Sequence, residues 1–339
     1  MRPLRVRSGA LSSLSLLLST AHMRAAAILG LGCSAKNLER FQPSDVASNR
    51  KIEWRIGLPS AADQADVILL FGGDGTIHRH LSPLVKLGLP VLVVPAGSGN
   101  DFARALGLRR VRDSLAAWRQ FCAGEKNVRA IDLGVITPLE IARGAPSALA
   151  QGRSAPGVPA PNPSPGSRSY FCSVAGVGLD SEVARRANQL PRWLRGHGGY
   201  ALALAPTIFR FAPLCMKVLT LDEAGWSIRS DQPTILTAFA NTAIYGGGMR
   251  IAPRARVDDG QLDVCVIGGI DPFKLACMFP TVYFGRHLRI REVKYFRAAR
   301  LRLETETPLD LYADGEYVCR PPVEIAVEPS ALKVVVPHS

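Results

Sequence analysis

Two short glycine-rich segments carry the clearest chemical signal in this chain. The first is Phe71-Gly72-Gly73-Asp74-Gly75-Thr76, directly after the apolar run 66–71 and before a stretch with helical spacing. Glycine lets a backbone turn tightly and approach a phosphate closely. The free amides at the start of the following helix favour an anion. Asp74 is a candidate to bind a metal or to organise that loop. The second segment, Pro95-Ala96-Gly97-Ser98-Gly99-Asn100-Asp101-Phe102-Ala103-Arg104, again follows an apolar run. Its glycines and Ser98 suit a second anion-binding loop, and Asn100 or Asp101 suits the cap of the next helix.

These loops need a scaffold. Strand signals at 25–29, 66–71 and 90–94 alternate with helix signals at 76–87 and from 101 onward. Such alternation predicts a parallel sheet with flanking helices. Loops on neighbouring parallel strands face one crevice at the strand ends, where α/β proteins bind ligands. Past residue 138 the pattern changes. Residues 141–168 are rich in Ala, Gly, Pro and Ser and are expected to form a flexible insertion. Short β-type runs then follow at 170–175, 234–240, 262–267, 309–312, 323–327 and 332–336, predicting a mainly antiparallel β-sandwich. The expected division is an α/β nucleotide-binding domain over 23–136, an insertion over 137–169 and a β-sandwich lipid and metal domain over 170–330. A C-terminal strand at 331–339 has a return to the first domain as one course open to it. Residues 1–22 read as a non-native start or a disordered tail, with a targeting segment as the alternative.

The formal net charge of +13 favours anionic partners. The seven cysteines stand singly, with no C-x-x-C pair, so neither a zinc site nor a disulfide framework is indicated. No run of residues has the length and uninterrupted apolarity of a spanning helix. The expected location is cytoplasmic, with peripheral membrane association. No nucleic-acid module is recognisable, and no nucleic-acid partner is expected.

The two loops together, GGDGT and P-x-G-S-G-N-D-F-A-R, resemble the diacylglycerol kinase catalytic-domain family of soluble bacterial lipid kinases, related to sphingosine and NAD kinases. Further segments agree in order: Ile131-Asp132-Leu133-Gly134, Val174-Ala175-Gly176-Val177-Gly178-Leu179-Asp180, Val257-Asp258-Asp259-Gly260-Gln261-Leu262-Asp263-Val264 and Asp314-Gly315-Glu316. The resemblance implies an ATP- and Mg²⁺-dependent kinase acting on the hydroxyl of diacylglycerol or a similar lipid at an anionic membrane surface. ATP would be held by Gly72, Gly73, Asp74, Gly75, Thr76, Ile77, His78, Ser98 and Asn100. A structural Mg²⁺ would take the Asp259 carboxylate and the backbone carbonyls of Arg256 and Gln261, with Asp132 linking it through water to the nucleotide's own metal. Glu316 would be the general base with Asp314 beside it. A homodimer is compatible with the family. Taken alone, Asp314-Gly315-Glu316 reads as a hairpin turn and Asp258-Asp259-Gly260 as a solvated turn.

The chain also departs from the family pattern. The first strand leads into Gly30-Leu31-Gly32-Cys33-Ser34-Ala35-Lys36 rather than an Asn-Pro-x-Ser-Gly loop, and His78-Arg79 replaces the usual Asn-Glu. The basic run Arg286 to Arg302 suits anionic headgroups or a solvated face. An NAD kinase-like enzyme and a non-catalytic lipid- or nucleotide-binding protein are the competing readings.

Overall fold

The computed structural model describes residues 22–42, 51–140, 162–189 and 206–338, with the side chains of 187–189 left aside. The expected tail up to residue 21 and the 141–161 stretch of the expected insertion lie outside these residues.

The first half is built on four parallel strands. β1 (Met23–Leu29) pairs with β2 (Ile52–Ile56) on one side and β3 (Val67–Gly72) on the other, and β3 pairs with β4 (Val91–Pro95). β3, Val-Ile-Leu-Leu-Phe-Gly, is buried along its whole length. That is the continuous apolar pattern of a parallel strand covered on both faces. After a short turn of helix, α1 (Lys36–Glu39), the helix α2 (Asp74–Leu87) buries Ile77, Leu81 and Leu84, spaced to line one face. It ends at Gly88, whose φ of 61° is the left-handed cap. α3 (Asp101–Ala105) and α4 (Val111–Cys122) follow β4. Trp118 on α4 donates its indole N–H to the Phe41 carbonyl at 2.8 Å, which ties the helix across the sheet.

The second half is antiparallel. β6 (Ser169–Phe171) pairs with β5 (Val128–Pro138), and β7 (Val174–Gly178) leads into α5 (Leu179–Gln189). β8 (Leu214–Asp222) and β9 (Gly225–Ala240) form a long hairpin, and β10 (Leu262–Gly268) lies against β9. After α6 (Pro272–Val282) come β11 (Val293–Ala298), β12 (Arg300–Thr305), β13 (Leu311–Ala313) and β14 (Glu316–Cys319). Phe239, Val264, Val266, Leu301, Leu303 and Ile325 meet in one apolar core.

β15 (Val323–Val335) joins the halves. Val323–Glu328 runs antiparallel to Leu133–Pro138, and Leu332–Val335 antiparallel to Val128–Ile131, with a register shift between. β15 also pairs with β12, and Val334 pairs with Val91 of β4. The two runs read separately from the sequence are thus one strand with an irregularity at Pro329-Ser330, where Ser330 has φ 53°. The run 170–175, read as one strand, is two. The N–H groups of Cys172 and Ser173 turn away from the ladder to the Asp314 carboxylate.

Candidate functional site

The two glycine loops touch. A Cβ added to Gly97 would lie 2.5 Å from the Gly73 Cα, and one added to Gly73 would lie 2.9 Å from the Gly97 Cα. The Ala96 N–H donates to the Gly72 carbonyl at 3.0 Å. Only glycine at both places allows this approach. Asn100 closes the second loop: its Oδ1 accepts the Gly97 N–H at 2.9 Å and its Nδ2 donates to the Gly97 carbonyl at 2.6 Å. Its side chain is therefore committed to shaping the loop. Ser98 is exposed at the tip. Thr76 leans on Gly72 and Gly30, since a Cβ on either would lie 2.8 Å from its Oγ1. The departed first loop thus begins at the same edge. Ile77 points into the core instead of the crevice.

Asp74 bridges to the start of α3. Its Oδ2 accepts the Asp101 N–H and its Oδ1 the Phe102 N–H, both at 3.1 Å. Burial and then the neighbouring Asp101 charge push the Asp74 carboxyl up to about 6, against the two amides. Asp101 is raised too, chiefly by burial. It accepts the Gly247 N–H at 2.8 Å and pairs with Arg104 at 3.2 Å. Asp101 was read from the sequence only as an optional cap; its partner Gly247 lies 146 residues away, beyond any spacing argument.

From the other half, the β13–β14 turn brings Asp314 and Glu316. Asp314 has φ 51° and a fully buried side chain. Its carboxylate accepts the N–H groups of Cys172 (3.0 Å) and Ser173 (2.8 Å) and meets His78 Nδ1 at 3.2 Å. Burial opposes charging His78, but the Asp314 hydrogen bond and the Asp314 and Glu316 charges outweigh it and raise its pKa. Glu316 stands differently. Its Oε1 lies over Gly75, where an added Cβ would be 2.8 Å away. Among the described residues its carboxylate makes no hydrogen bond or ion pair. A carboxylate with no hydrogen-bond or ion-pair partner among the described residues thus lies against Gly75 of the first glycine loop.

Around Asp132, the 256–261 loop closes on itself. The Asp132 N–H donates to the Val257 carbonyl at 2.6 Å, and its carboxylate accepts Gly260 N–H (2.7 Å) and Ser330 N–H (2.8 Å). Asp259 accepts the Gln261 N–H at 3.2 Å and pairs with Arg297 at 3.2 Å. Arg256 is exposed and turns its side chain to Asp258. The oxygen donors expected for a metal do share one loop, but Arg297 already compensates Asp259. Among the described residues no group of three His, Cys, Asp or Glu side chains forms a metal cage. The Asp74 and Asp101 carboxylates lie beside the glycine loops, but each already accepts a backbone N–H, so a Mg²⁺ arriving with phosphate would share them with those amides.

Comparison with known proteins agrees with this architecture. Residues 48–136 match the diacylglycerol kinase catalytic domain, and residues 173–336 match the YegS C-terminal NAD kinase beta sandwich-like domain. A diacylglycerol kinase of Mycobacterium tuberculosis (strain ATCC 25618 / H37Rv) is 32% identical over 285 residues, covering 82% of this chain and 79% of the relative. A diacylglycerol kinase of Bacillus subtilis (strain 168) is 24% identical over 260 residues, covering 76% and 73%. A crystal structure of a diacylglycerol kinase from Bacillus anthracis str. Sterne superposes with a TM-score of 0.60 at 16% identity, covering 93% of this chain and 96% of that one. The chain belongs to the diacylglycerol kinase catalytic-domain family. Its fold is that family's α/β domain followed by a β-sandwich.

Proposed function

We propose that this protein is a lipid kinase that transfers the γ-phosphate of ATP to the hydroxyl of diacylglycerol or a similar lipid. The observation that carries the reading is the Glu316 carboxylate, unpartnered among the described residues, against Gly75 of the first glycine loop. Loop amides and the α2 N-terminus would hold the nucleotide phosphates, which Mg²⁺ bridging to Asp74 and Asp101 would help neutralise. The lipid hydroxyl oxygen attacks the γ-phosphorus, the bond to the ADP oxygen breaks, and the hydroxyl proton passes to a Glu316 oxygen. Asp314 acts as a positioning residue, because its oxygens are already engaged. The Asp259 carboxylate and the backbone carbonyls of Arg256 and Gln261 would hold a structural Mg²⁺, with Asp132 linking it through water to the nucleotide's own metal.

Exposed aromatic rings and unpaired basic groups support docking on an anionic membrane. Phe209 and Phe273 pack edge to face at 5.7 Å, and Phe273 and Phe284 are 74% and 72% exposed. No helix among the described residues is long and apolar enough to cross a membrane. Within the basic run, Arg297 pairs with Asp259, and Arg300 and Arg302 pair with Glu324. Among the described residues Arg286, Arg289, Arg291 and Lys294 form no ion pair and remain available to headgroups.

The test is Glu316→Gln, assayed with labelled ATP, Mg²⁺ and a lipid panel in mixed micelles, with NAD as a control acceptor. Loss of the base lowers turnover by about 10²–10⁴. Binding of an ATP analogue stays near wild type. Near-normal turnover in the variant, or phosphorylation of NAD in preference to lipid, refutes the reading.

A further inference from the structure

A cavity of about 480 Å³ opens between the halves, on the side of Asp101 that carries Arg104. Arg104 and Arg109, from α3 and the turn after it, and Arg129 from the start of β5 meet Arg250 and Arg256 from the loop before β10. The one carboxylate in the lining is Asp258. It is already held by both Arg129 and Arg256, and Arg104 is held by Asp101. Among the described residues Arg109 and Arg250 form no ion pair or hydrogen bond through their guanidinium groups. Five arginines and one aspartate therefore line a concave space with apolar wall residues such as Ile244 and Val257.

Like charges gathered this way repel one another, and a concave, partly apolar wall focuses their field. The guanidinium fork matches phosphate oxygens in a two-point grip. The volume falls in the range of small-molecule sites and exceeds what a single chloride needs. We propose that this cavity is a binding site for a phosphomonoester or pyrophosphate group, lying past the end of the second glycine loop, with Arg109 and Arg250 as its principal ligands. Because its lining comes from both halves, an anion there ties the nucleotide half to the β half. The site stands or falls independently of the lipid kinase reading, since none of its chemistry needs phosphoryl transfer.

The source of the phosphate is separable by experiment. The full chain and the double variant Arg109→Ala/Arg250→Ala are titrated by calorimetry with inorganic pyrophosphate and with monomeric dihexanoyl phosphatidate. Dihexanoyl phosphatidylcholine is the zwitterionic control. ATP-analogue binding and the unfolding midpoint confirm that the variant is folded with intact loops. Each lost charge-assisted contact weakens binding by at least about 10-fold, so the double variant should bind at least about 100-fold more weakly. Loss seen with pyrophosphate marks a soluble phosphate ligand, and loss confined to phosphatidate marks a lipid headgroup. The variant Arg109→Lys/Arg250→Lys keeps charge without the fork and recovers part of the affinity. Equal binding by wild type and the alanine variant, or binding by neither, overturns the site.

Discussion

Replacing Gly97 by Ala gives the sharpest test of the crevice. The added methyl would sit 2.5 Å from the Gly73 Cα, while ordinary contact begins at 3.4 Å. The obstacle is backbone, so no rotamer relieves it, and the loops must part by roughly 1 Å. A displacement of about 1 Å among positioned groups can cost about 10²-fold in rate. Overpacking costs about 1–3 kcal/mol in stability. Gly97→Ala should therefore lower turnover by about 10²-fold and weaken ATP-analogue binding, beyond what its stability loss explains. Gly88→Ala supplies the control. Gly88 has φ 61° with open space around it. That substitution strains only the helix cap, by about 1–2 kcal/mol, far from either loop. Urea unfolding, analogue binding and micelle turnover on both variants separate the two effects. Wild-type binding and turnover in Gly97→Ala would show that the loops do not meet as described.

Two other outcomes follow from the site. His78 has a raised pKa in the folded state, so the stability it contributes is complete below the ordinary histidine value of about 6.5 and is lost as pH rises through the folded value. Wild type should exceed His78→Asn in urea midpoint at acidic pH, with the gap closing toward alkaline pH; a constant gap refutes the charged His78–Asp314 bond. If the 256–261 loop holds a structural Mg²⁺, Mg²⁺ should raise the Tm of the nucleotide-free protein. That rise should vanish in Asp259→Ala and grow in Arg297→Ala, where the competing guanidinium is gone; an absence of response in all three proteins removes the metal from the loop.

The elements legible from sequence were those whose signal is local. β3 announces itself because six consecutive buried residues read as one apolar run. α2 does so through the spacing of Ile77, Leu81 and Leu84. β2 was missed because only alternate residues of Ile-Glu-Trp-Arg-Ile are even partly buried at that sheet edge. Pro329-Ser330 made β15 look like two strands, and it takes the Ser330–Asp132 hydrogen bond to show one. The division between Glu316 as base and Asp314 beside it is an expectation of the family resemblance, not of local pattern. Nothing in Asp-Gly-Glu tells which carboxylate is spent on backbone amides. That depends on Cys172 and Ser173, more than 140 residues away.

The same contrast governs how the halves are held. β5 and β15 pair over ten residue positions, a ladder that persists as long as the fold does. It sets where the two halves lie but not how closely Glu316 approaches Gly75. Single polar contacts also cross near the crevice, His78 to Asp314 and Gly247 to Asp101. A hydrogen bond to a charged group contributes only about 1.5–3 kcal/mol net, so either can open while the ladder stays intact. Both involve titratable groups whose pKa burial or charge has moved. Substitution of His78 by the Asn usual in the family would keep a polar side chain beside Asp314 and discard the titration. His78 therefore adds a titrating contact beside the turn that carries Glu316, and the pH series on His78→Asn reads that contact directly.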